Sequence, residues 1–157
     1  MKSIRLGEAI QILSNIGVLA GIVFLAYEIH QNTVSTQLSA AQNYLGSSYQ
    51  MSMHFAENPE LAGLVTKSMT NPDQLSPTEA FQLDRLQFST LRTWQNMHYQ
   101  YITHVLGEDF WLPQRRFIKS TLNANGSLRA YWKANAHFYT SAFNEEVQKI
   151  VQELKVD

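Results

Sequence analysis

Residues 9–27 read AIQILSNIGVLAGIVFLAY, and no charged residue interrupts them. The run is close to the ~20 residues that an α-helix needs to cross hydrocarbon. No other stretch of the chain matches its length and apolar density. Three readings of it compete: a transmembrane helix, a cleaved signal peptide, and a buried core helix of a soluble protein. Lys2 and Arg5 resemble a signal n-region, but Leu25-Ala26-Tyr27-Glu28 is a poor cleavage site. Gln11, Ser14 and Asn15 dilute the first half and keep the core-helix reading open. The transmembrane reading is favoured.

Charge gives that reading an orientation. Lys2, Arg5 and the α-amine precede the run, and no Lys or Arg follows until Lys67. Positive residues flanking a span stay cytoplasmic. The expectation is a single-pass protein of the bacterial inner membrane, N-terminus cytoplasmic and main domain periplasmic. Ser14, Gly17 and Gly21 share one helical face, and Gly17/Gly21 form a GxxxG, a spacing that lets helix backbones approach closely in lipid.

The composition agrees. Charged residues make up 16% of the chain, below the roughly 25% of soluble proteins. Lys+Arg number 12 against Asp+Glu 13, so no basic excess points to nucleic acid. There is no cysteine, which excludes disulfides, thiolate metal sites and cysteine nucleophiles.

Everything downstream reads as helix. The pattern continues unbroken from the span into residues 31–56, with an expected buried stripe through Val34, Leu38, Ala41, Leu45, Ser48 and the 51–55 segment. Asn58-Pro59 ends that helix, and Pro59 opens a short one to Met69. Ser76-Pro77-Thr78-Glu79 has the form of a capping box. A helix is expected from Pro77 to Leu106, with Phe81, Phe88, Leu91, Trp94, His98, Ile102 and Val105 along one face and Gly107 as its stop. Glu108-Asp109 starts the next, Asn123 to Gly126 reads as a loop, and Ser141 is expected to cap the last helix. With no strand-like alternation, the fold class is all-α. A tail and anchor (residues 1–30) precede a helical extramembrane domain (residues 31–157).

Several short segments resemble an uncharacterised family of small bacterial membrane-anchored proteins. They are Tyr27-Glu28-Ile29-His30-Gln31-Asn32-Thr33, Asn58-Pro59-Glu60-Leu61-Ala62, Leu75-Ser76-Pro77-Thr78-Glu79, Tyr99-Gln100-Tyr101, Phe110-Trp111, Arg115-Arg116 and Tyr131-Trp132. The resemblance implies an N-terminal hydrophobic helix followed by an α-helical domain. It brings no catalytic residue and no cofactor. His30 stands where an arginine is common in the family.

Candidate sites are sparse. His30, His54, His98, His104 and His137 form no HxxxH, HExxH or paired Glu-x-x-His, so no metal site is expected. No GxSxG or phosphate loop is present, and no carboxylate pair lies in an apolar setting. The chain is therefore read as a non-enzyme with no cofactor. Trp94, His98, Tyr101, Trp111 and Trp132 are the candidate interface or pocket, because Trp and Tyr dominate binding hot spots. Arg115, Arg116 and Lys119 are the candidate basic surface, with Arg115 and Lys119 one turn apart. The expected function is protein–protein assembly, by self-association or as an accessory subunit of a membrane complex. A periplasmic ligand-binding or sensory helical domain is the alternative.

Overall fold

The structure is a computed structural model that describes residues 6–154. Lys2 and Arg5, which carry the orientation expectation, lie outside these residues. Six α-helices and two short 3-10 turns make up the described chain, with no strand among its residues. The helices are α1 (Leu6–Glu57), α2 (Pro59–Thr70), α3 (Pro77–Ile102), α4 (Glu108–Ala124), α5 (Gly126–Asn135) and α6 (Ser141–Glu153).

The chain divides into two compact units, Met1–Ser39 and Ala40–Asp157. In the first, the large apolar side chains from Ile10 to Tyr27 are each 52–69% exposed. No residue of its apolar window is buried. Gln11, Ser14 and Asn15 lie in the first half of this stretch, and from Ile16 to Ala26 it carries no polar side chain.

The second unit is a helical bundle around Leu91, Trp94, Ile118, Leu122, Phe143, Val147 and Ile150. Each helix contributes one row at i, i+3, i+4 spacing, the row that a 3.6-residue turn places on one side. On α3 the buried row is Leu83, Gln87, Leu91, Trp94 and His98; on α4 it is Trp111, Gln114, Ile118 and Leu122.

Polar caps fix where these helices start. Asn58 Oδ1 accepts from the Leu61 N–H at 3.1 Å, and Asn125 Oδ1 accepts from the Leu128 N–H at 2.9 Å. The capping box forms as its sequence predicts, between Ser76 and Glu79. The Glu79 carboxylate also accepts from Lys67 Nζ at 2.8 Å, tying α2 to α3. Lys67 first, then the Ser76 N–H and hydroxyl, hold the Glu79 carboxyl down to about 2.

Five sequence expectations need correction. The buried stripe of α1 begins at Ala41 and runs through the half-buried Tyr44, Ser48, Met51 and Phe55, while Val34, Leu38 and Leu45 are exposed. Phe81 and Ile102 are exposed on α3 rather than part of its packed row. Helix α3 stops at Ile102, not Leu106. His104 takes the left-handed conformation (φ 59°) usual for a glycine at a helix end, and the Val105 and Leu106 N–H groups close back on the Gln100 carbonyl. With no glycine there to mark the stop, the pattern overran it, and Gly107 instead precedes α4. The loop expected at Asn123 to Gly126 shrinks to Asn125, which ends α4 and caps α5. Finally, Thr140 rather than Ser141 caps α6. Both residues carry a hydroxyl; a bond from the Thr140 N–H to Gln95 Oε1 on α3 (2.9 Å) anchors Thr140 outside the helix.

Candidate functional site

The second unit contains an elongated cleft of ≈ 850 Å³. Three helices each turn one row toward it: Tyr44, Ser48, Met51 and Phe55 of α1, Leu83, Leu86, Gln87, Thr90 and Trp94 of α3, and Phe110, Pro113, Gln114, Phe117 and Thr121 of α4. Each row extends three helical turns, about 16 Å. Val65 and Leu128 add to the lining from α2 and α5. Trp94 is buried and meets Phe117 edge-on, with ring centroids 6.5 Å apart.

Most polar groups around the cleft are already satisfied by the chain. The hydroxyls of Ser47, Ser52, Thr90 and Thr93 donate back to carbonyls of their own helices at 2.8–3.0 Å. Gln87 Nε2 donates to Ser127 Oγ at 2.9 Å, and Gln114 Oε1 accepts from the Tyr44 hydroxyl. The lining is mainly methyl, methylene and ring surface, with Ser48, Gln50 and Thr121 as further polar members and Asp109, His54 and Tyr44 as ionisable ones.

The five aromatic and histidine candidates divide. Trp94 lines the cleft; His98, Tyr101, Trp111 and Trp132 do not. Tyr101 and His98 both pack against Trp111 instead. Tyr101 lies nearly parallel to Trp111 (5.4 Å, 14°), and His98 packs 5.0 Å from Trp111 and 6.1 Å from Phe143. Burial pushes the His98 pKa down, with Glu146 opposing and Lys149 reinforcing the shift. Trp132 lies apart, its Nε1–H donating to Asn144 Oδ1 at 3.0 Å.

The basic candidates divide too. Arg115 Nε donates to Glu146 Oε1 at 2.6 Å, and its two Nη groups donate to Glu153 at 2.5 and 3.1 Å. Lys119 Nζ lies 3.7 Å from the same Glu153. The bond to Glu153 is the main reason the Arg115 pKa rises, and Arg115 in turn holds the Glu153 carboxyl below its usual range. Two of the three cations are thus matched by acids of α6, leaving Arg116 as the exposed member. These acids were missed because sequence separations of 31 and 38 residues leave no local trace.

Ser14, Gly17 and Gly21 are exposed on α1. An added Cβ at either glycine would meet open space, so no contact among the described residues requires glycine there.

A second missed cluster lies between α3 and the α5 end. Arg92 packs over the rings of Phe88 and Tyr139, and Arg85 over Phe81 and Phe88. Burial raises the Tyr139 phenol to about 12. Among the described residues, no group of His, Asp and Glu is placed to hold a metal ion.

No protein-family model matches the chain, and no curated protein or solved structure matches it either.

Proposed function

We propose that the chain is a single-pass membrane-anchored helical protein whose bundle works at a bilayer surface in protein–protein assembly. One observation carries the anchor: residues 9–27 form helix without a charged side chain, and none of the apolar window is buried. As helix the segment is about 28 Å long, against a hydrocarbon core of about 30 Å. A partner on one side would leave the other faces wet; lipid covers them all. The assembly reading is supported by Gly17 and Gly21, which cost helix stability in isolation and make no close contact that a Cβ would disturb among the described residues. Packing against another span would give them such a contact. The Lys2/Arg5 asymmetry supports a bundle on the periplasmic face of the inner membrane.

The test is fractionation of cells expressing the full chain. The protein is expected in the carbonate-washed membrane pellet and to be released by detergent. Full-length protein in the detergent-free supernatant overturns the anchor. In mild detergent, Gly17→Ile and Gly21→Ile are expected to lower the native mass; an unchanged mass removes the glycine face from the assembly. The absence of native cysteine allows a clean test of orientation. A single Gln148→Cys on the exposed face of α6 should react with an impermeant maleimide added outside spheroplasts. Reaction only after lysis reverses the orientation.

A further inference from the structure

We infer that the cleft between α1, α3 and α4 binds one uncharged aliphatic chain. Its volume of ≈ 850 Å³ lies within the ~300–1,000 Å³ range of ligand sites. Its form argues for a chain over a compact ring, since the lining follows three helical turns on each of three helices. Its chemistry argues for an apolar and neutral occupant. The hydroxyls of Ser47, Ser52, Thr90 and Thr93 on its walls are committed to their own helices, and Gln87 and Gln114 bond to Ser127 and Tyr44. Among the described residues no lysine or arginine lines it, so no permanent cation there balances a carboxylate or phosphate, and Asp109 would repel one. Water in such a space finds few partners, so an apolar chain is the occupant that gains most by displacing it. This inference stands independently of the membrane anchor.

The experiment uses the full chain in nanodiscs of native lipid, and hexadecanol bearing a diazirine at its terminal carbon. After irradiation the labelled peptides are mapped by mass spectrometry. Label is expected on peptides containing Met51 or Phe117, with loss of that label when excess unlabelled hexadecanol is added. Thr90→Trp and Ser48→Phe fill the cleft from opposite walls; in whichever retains the helical circular dichroism of the parent, the cleft label should also be lost. Label confined to residues 9–27 overturns the inference and leaves the anchor intact. Cleft label that survives both competitor and filling overturns it as well. Competed cleft label with none on residues 9–27 supports the inference and counts against the anchor.

Discussion

Residues 9–27 and the bundle beyond Ala40 use the same amino acids to opposite ends. Leu19 and Ile22 are 63% and 58% exposed, whereas Leu91, Ile118 and Ile150 are fully buried. In the bundle each helix confines its apolar residues to a row, and the rows close on one another. Burial within the chain then stabilises the fold, at roughly 25 cal/mol per Å² of apolar surface hidden. In the N-terminal segment the large apolar side chains from Ile10 to Tyr27 are exposed instead. Under the proposed anchor, that segment would gain its hydrophobic free energy from lipid.

The strongest way to break this contrast is to truncate one large apolar residue in each region. Phe143→Ala is expected to cost about 3–5 kcal/mol, by lost transfer energy and the cavity left behind. Leu19→Ala is expected to leave unfolding of the bundle within about 0.5 kcal/mol of the parent, as for a surface site. Denaturant unfolding of the detergent-solubilised full chain, followed by tryptophan fluorescence, measures both. A Leu19→Ala cost comparable to that of Phe143→Ala would make the two regions one core.

The next comparison lies inside the bundle, between adjacent arginines. Arg115 is held by two carboxylates of α6, and its side chain is 24% exposed. Arg115→Ala should destabilise by about 1–2 kcal/mol, between the values for exposed and buried charge pairs. Arg116→Ala should change stability by less than about 0.5 kcal/mol. Equal effects would mean that the α4–α6 ion pairs do not distinguish the two. Smaller still is the cap of α3: Ser76→Ala should cost about 1 kcal/mol, read from the same unfolding curves, and Ser76→Asn should restore most of it.

These effects also mark what was legible in the sequence. The Ser76 cap, the Pro59 start and the charge-free run follow from neighbours within a few residues, and all three were readable. The helical faces were read less well. Val34 and Leu38 fit a 3.6-residue stripe, but periodicity gives only a direction around the helix; whether anything stands in that direction is decided by the rest of the fold. The end of α3 was missed because His104 does the work of a glycine. The cleft was not legible at all, since Met51, Thr90 and Phe117 meet only through packing. The aromatic cluster was half legible: richness in Trp and Tyr marked the right helices, but could not separate Trp94, which lines the cleft, from Trp111, which fills the core.

The last contrast is in pH dependence, and it turns on His98. Residues 9–26 hold no ionisable side chain, so titration in this pH range acts through the remainder of the chain. His98 is packed against Trp111 and Phe143, and burial lowers its pKa below the ordinary 6.5. Above pH 6.5 it is neutral in both the folded and unfolded chains, and its contribution to stability is fully present. As pH falls below 6.5 the unfolded chain takes up the proton first, so stability declines until the folded-state pKa is passed. Glu146 moderates the shift and Lys149 adds to it. Melting temperature should therefore fall between pH 7.5 and pH 5.5. His98→Phe keeps a ring against Trp111 and removes the proton site, so its melting temperature should fall less over the same interval. An identical decline in parent and variant would assign the pH dependence to other groups and leave His98 as packing alone.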